Sequence, residues 1–186
     1  GPCGIPPPPK PHRIKGGEGV PPLPLPATPL RRSERKRDPA PPVLIGKVVW
    51  GKNRVKELDD GRRIPYADWN LDPNDLSHLL REARSRLGIR YRHIPVQFET
   101  FSFDPAEIPY LYITGVRAPS FSDKLCEQLR AYLLNGGFIH ADACRGSTLF
   151  ADAMRENFRR ILPGRSVRVL PPDHPVFSAF GRVDHV

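Results

Sequence analysis

Cys144 is the side chain of this sequence best placed for nucleophilic chemistry. It follows the apolar run Phe138-Ile139-His140-Ala141-Asp142, and an amphipathic run begins a few residues after it, with Gly146 between. A cysteine in a strand-to-helix turn lies near the positive end of the helix dipole, which favours the thiolate. The N–H of Arg145 and one near Gly115 can donate to a developing oxyanion. Asp142 opposes this, because a carboxylate beside a thiol disfavours its ionisation. The helix end is worth about 0.3–1 kcal/mol at an exposed site. A carboxylate ~4 Å away, at an effective dielectric near 20, opposes it by up to about 4 kcal/mol. The expectation is therefore that Asp142 prevents strong thiolate formation and that Cys144 is a small turn residue. His174, in the loop Asp173-His174-Pro175, is the candidate base, and the same His-Pro pair can equally serve to fix a turn. His140 shares a strand face with Asp142. A metal site can be drawn from His140, Asp142, Cys144 and His174, but the spacing fits no ligand signature, so no metal is expected. Gly115-Val116-Arg117-Ala118-Pro119 matches no phosphate-binding fingerprint, and no cofactor is expected. Gly115, Asp142, Arg145, Gly146 and Asp173 are the candidate binding residues.

The elements that must position these residues lie between Ile108 and Leu162. Tyr110 to Thr114 is a short apolar run stopped by Gly115, which predicts a buried strand. Ser120 and Asp123 are spaced as a capping box, and Leu125, Leu129, Tyr132 and Leu133 then recur at helical spacing until Asn135-Gly136-Gly137. Phe138 to Asp142 is the next strand, and Phe150, Ala153, Met154, Phe158 and Ile161 mark a second helix. Strands alternating with helices of this length imply βαβ units and a parallel sheet, whose chemistry lies beyond the carboxyl ends of the strands. Upstream, Val43 to Trp50 is the first strand, and residues 51–65 are polar with a turn at Asp59-Asp60-Gly61. Asp72 caps a helix with Pro73 at its first position, Leu76, Leu79, Leu80, Ala83 and Leu87 form its stripe, and Gly88 stops it. Ile89 to Ile94 and Val96 to Phe103 supply one or two short β segments, and Ser166 to Leu170 reads as a further strand. Val176, Phe177 and Phe180 form a packing patch, and Trp50, Trp69 and Cys126 are read as packing residues.

Composition divides the chain in two. Of 24 prolines in 186 residues, 14 precede Val43, against a usual share of ~5%. Residues 1–42 also hold eight Lys or Arg against three acids, so five of the nine net positive charges lie there. That segment cannot build a core and is expected to be a disordered or polyproline-like tail or linker. Pro21-Pro22-Leu23-Pro24-Leu25-Pro26 can dock in an aromatic groove, and Arg31 to Arg37 can touch nucleic acid or acidic headgroups; a solvated linker is the plainer account of both. Residues 43–186 are then one α/β domain. The three cysteines give neither a disulfide framework nor zinc spacing, and no run of ~18 apolar residues spans a membrane. The start at Gly1 and the stop at Val186 carry no boundary signal, so a leader upstream and further strands downstream are both allowed, and the compartment is left open.

From about Ile45 onward the sequence resembles domain-of-unknown-function family 4159, a bacterial family grouped with the class I glutamine-amidotransferase-like fold. The resemblance rests on Asp68-Trp69-Asn70, Tyr110 to Gly115, Phe121-Ser122-Asp123, Leu129 to Phe138, Ala141-Asp142-Ala143-Cys144 and Asp173 to Phe177. It implies a flavodoxin-like three-layer α/β sandwich with a mostly parallel sheet, and a domain that continues beyond Val186. It also sets Cys144 beside the Gly-x-Cys-x-Gly turn of the amidotransferases. Asp142 stands where that turn has Gly, and the late His-x-Glu pair that supplies the amidotransferase base occurs nowhere in this sequence. The leading expectation is a non-catalytic binding or assembly module with a protein partner. The alternatives are a Cys-dependent hydrolase or amidotransferase-like enzyme using Cys144, and a nucleic-acid-associated protein acting through the basic tail.

Overall fold

The computed structural model describes residues 41–177. The expectations for the Pro-rich tail up to residue 40, and for Phe180, fall outside that range. Strand β1 (Val43–Val49) is central. It pairs in parallel with β4 (Tyr91–Gln97) on one side and β5 (Tyr110–Gly115) on the other, and β5 pairs in parallel with β6 (Phe138–Ala143). The sheet order is β4-β1-β5-β6. Taking only these four strands in chain order, this is 2-1-3-4, the doubly wound flavodoxin-like arrangement. Helix α1 (Asp75–Leu87) joins β1 to β4, α2 (Asp123–Leu134) joins β5 to β6, and α3 (Thr148–Ile161) follows β6.

Strand alternation assigns the two faces. Val48, Val96, Leu111 and Ile113 pack with Cys126, Leu129 and Tyr132 of α2 and Phe150, Met154 and Ile161 of α3. No helix joins β4 to β5; Phe98, Phe101 and Phe103 of that connection pack against this core instead, with Phe101 edge-on to Tyr132. On the other face Ile45 and Tyr112 pack against Leu76 and Leu80 of α1. The Arg130 guanidinium of α2 donates to the carbonyls of Ile161 (2.6 Å) and Arg160 (3.0 Å), satisfying the end of α3. Gly136 takes φ 97°, and a Cβ at Gly137 would overlap the Tyr132 ring, so Asn135-Gly136-Gly137 both turns the chain and admits that ring.

Several local expectations are corrected. The turn at Asp59-Asp60-Gly61 stands as expected, but the polar stretch around it carries two further strands, β2 (Asn53–Glu57) and β3 (Arg63–Ala67), in an antiparallel hairpin. Its side chains are exposed on both faces, so no apolar alternation marks it. Asp72 does not cap α1; its Oδ1 accepts from Asn74 N at 3.1 Å, and the helix begins at Asp75. Leu79 is 49% exposed and lies off the buried stripe. The cap of α2 is Ser122, which accepts from Leu125 N, and not Ser120; Asp123 instead receives the Arg160 guanidinium at 2.7 Å. Val96 to Phe103 is strand only to Gln97. Ser166 to Leu170 is not a strand, and Val176, at 57% exposure, does not pack. Among the described residues no helix is long and apolar enough to cross a membrane.

Candidate functional site

In a doubly wound sheet the crevice opens where the connections diverge, here between the carboxyl ends of β1 and β5. Trp50 directly follows β1, and its indole N–H donates to the Thr114 carbonyl at 2.9 Å. A Cβ on Gly115 would overlap Trp50 Cζ2 and come within 3.2 Å of the Asp68 carbonyl oxygen. Glycine at the end of β5 is thus what lets the indole lie against the strand. The ring also packs on Phe150 of α3, centroid to centroid 5.9 Å.

Asp68, just after β3, closes the base of the hairpin beside the same place, and Arg117 beyond β5 is its one ion-pair partner outside the hairpin among the described residues. Asp68 is 2% exposed. Its Oδ2 accepts from Lys52 N (3.0 Å), its Oδ1 from Arg54 Nε (2.7 Å), and Arg117 Nε is 3.4 Å away. Burial pushes its carboxyl pKa up, but the Arg54 hydrogen bond, the Lys52 N–H and the charges of Arg54 and Arg117 outweigh this and hold it below the usual carboxylate value.

Beside this crevice, the sheet face that bears α1 carries a row of polar side chains. Lys47, in register with Tyr112, is buried in mid-strand. Its ammonium donates to Asn70 Oδ1 (2.9 Å), the Asp72 carbonyl (3.1 Å) and Asp75 Oδ1 (2.8 Å), and lies 6.0 Å from the ring centres of Trp69 and Tyr112. The Tyr112 hydroxyl donates to Asp142 Oδ2 at 3.0 Å, and Thr114 Oγ1 donates to the same oxygen at 3.4 Å. Burial, with the charges of Asp142 and Asp75, pushes the Tyr112 phenol far above its ordinary pKa, so it remains a donor. His140 Nδ1 is 2.6 Å from the Tyr110 hydroxyl, and burial lowers the imidazole pKa against the pull of Asp142.

Cys144 opens a single 3-10 turn, Cys144–Gly146, at the end of β6. Arg145 and Gly146 both have left-handed backbones, with φ 57° and 68°. The cap of α3 is Ser147, which accepts from Phe150 N and donates its hydroxyl to the Val116 carbonyl at 2.7 Å. Cys144 therefore lies before the helix cap, and Ser147 meets a free N–H of the first turn of α3, that of Phe150, in its place. Burial raises the Cys144 thiol pKa, Arg145 pulls it down, and Asp142, Asp72 and Asp75 push it up; the balance is upward.

Of the residues singled out in the sequence, the fold gathers Gly115, Asp142, Cys144, Arg145 and Gly146 at the carboxyl ends of adjacent strands. It does not assemble the drawn metal site: among the described residues no three His, Cys, Asp or Glu side chains form a ligating group. Asp173 is exposed and His174 is occupied within its own turn, where its N–H donates to the Pro171 carbonyl (2.9 Å) and its Nδ1 accepts from Val176 N (3.2 Å). Sequence reading missed Lys47, Asp75 and the pairing of Tyr112 with Asp142. The available signal was a lysine inside the apolar run Leu44 to Trp50, which needs a buried partner.

No curated protein matches the chain. A family model matches over residues 57–185, so β1 and nearly all of β2 precede the matched span. By that match over most of its length, the chain belongs to the family described as Domain of unknown function (DUF4159).

Proposed function

We propose that the domain is a non-catalytic binding or assembly module on an amidotransferase-like scaffold. The observation that supports this is the switch-point crevice, which is filled from within. The Trp50 indole lies on Gly115, with the Asp68 carbonyl at the base of the hairpin beside it, where a substrate of a doubly wound enzyme would bind. The upward-shifted Cys144 thiol and the self-contained turn of His174 agree with it. The polar row from Lys47 to Asp142 then serves to hold one arrangement of the sheet and α1, leaving the outer surfaces to meet a protein partner.

The test is the rate of Cys144 alkylation against pH in the full chain, followed by peptide-resolved mass spectrometry so that Cys3 and Cys126 are counted separately. The expected apparent pKa lies above the free value of about 8.5. A value below about 6.5 would overturn the non-catalytic reading.

One observation favours a second reading, a Cys-dependent hydrolase. The left-handed Arg145 and Gly146 turn the N–H groups after Cys144 sharply, as an oxyanion site requires. On that reading Asp142→Asn accelerates alkylation near neutral pH and His174→Ala slows it; on the first reading His174→Ala leaves the rate unchanged.

A further inference from the structure

Strand β6 ends the described sheet, bonded to β5 on one side only. Beside it, between Ala141 and Ala143 of β6 and Phe150, Met154, Arg155 and Phe158 of α3, runs a groove of about 170 Å3 with an apolar floor, Arg155 among its lining and Val167 on its rim. Val167 and Val169 belong to Ser166–Leu170, a stretch outside any helix or sheet, and are 50% and 96% exposed. Large β-branched residues held in water beside an unfilled groove and a free strand edge form an unsatisfied arrangement.

We propose that Ser166–Leu170 is a strap that closes on β6 as a fifth parallel strand, with Val167 beside Ala141, Arg168 beside Asp142 and Val169 beside Ala143. Three observations fix the occupant and the register. Chain order 2-1-3-4 continues in doubly wound sheets with strand five on the free edge of strand four, and the β6-α3 unit delivers the chain to that edge. Val167 already lines the groove with Ala141 and Ala143, which limits the alignment to those two positions, and of the two only pairing with Ala141 brings Arg168 beside Asp142. Strand alternation then turns Val169 into the groove as well and places Arg168 on the opposite face, where the exposed Asp142 carboxylate accepts only from Tyr112 and Thr114 among the bonds of the described residues. Apolar meets apolar and cation meets anion in a single register, whereas a slip by one residue would bury Arg168 in the groove. Closure covers the edge, the groove and Asp142 together, so the strap decides whether this side of the domain is open to another chain.

Hydrogen exchange on the full chain tests it. Amides of residues 167–170, and those of Ile139 to Ala143 that point away from β5, should exchange at least about tenfold more slowly than unstructured chain. Val169→Asp, harmless at so exposed a position if the strap stays open, should return residues 167–170 and the outward β6 amides to fast exchange, while the β6 amides bonded to β5 stay protected. Arg168→Asp should weaken the outward protection, and combining it with Asp142→Arg should restore it. Fast exchange of 167–170 in the wild type, or outward β6 protection that Val169→Asp leaves intact, overturns the proposal. Protection that rises with protein concentration also overturns it, by assigning the edge to a second copy.

Discussion

The two faces of the parallel sheet are built from the same strands but held by different physics. Along β5, Leu111 and Ile113 enter a hydrocarbon core with α2 and α3, while Tyr110, Tyr112 and Thr114 point the other way into hydrogen bonds with His140 and Asp142. The first face tolerates no voids and asks only for shape. The second holds Lys47, whose burial is compatible with stability only because Asn70, Asp72 and Asp75 receive its three protons. One face should therefore respond to volume, the other to the loss of a partner and to protons.

The largest effect should come from the apolar face. Leu129 is 1% exposed at the centre of its cluster, so Leu129→Ala should destabilise by about 2–5 kcal/mol in a denaturant melt. A loss below roughly 0.5 kcal/mol would place Leu129 outside the core.

Lys47→Met on the polar face should cost less, about 1–3 kcal/mol, by taking the ammonium away from the Asn70 amide and leaving the Asp75 carboxylate with the Leu76 N–H alone. The sharper reading is the double variant with Asp75→Leu, which should recover part of the loss because the pair goes as a unit. Strict additivity would mean that the two side chains do not depend on each other.

The smallest effect should be titration of His140. Its folded pKa lies below the ordinary value near 6.5. A depressed pKa means the unfolded chain binds the proton first, so this contribution is complete above about pH 6.5 and is lost as pH falls toward the folded value. Comparing melts of the wild type and His140→Gln at neutral and mildly acidic pH, the wild type should lose more stability on acidification. An identical loss in both would detach His140 from the pH response of this face.

The apolar face was legible in the sequence because burial repeats. Leu125, Leu129, Tyr132 and Leu133 at helical spacing, and the glycine-stopped runs around them, gave both helices and both strands of the central unit. The polar face was not, since partners such as Lys47 and Asp75 lie 28 residues apart and share no period. The hairpin escaped for a related reason: solvent on both sides leaves no alternation, and its fastening is one aspartate, Asp68. Helix starts slipped by two or so residues where several cap-competent side chains crowd together, as at Ser120 and Ser122 or Asp72 and Asn74, and only the three-dimensional path decides which one the N–H groups meet.

The contact at Gly115 has a consequence for design. What lies against the end of β5 is a side chain, Trp50, whose indole N–H is held by the Thr114 carbonyl. Replacing Trp50 by a small residue is expected to free space at the strand ends while the strand order, which rests on backbone pairing, stays as it is. Room at this edge is a property of one side chain, adjustable without rebuilding the sheet.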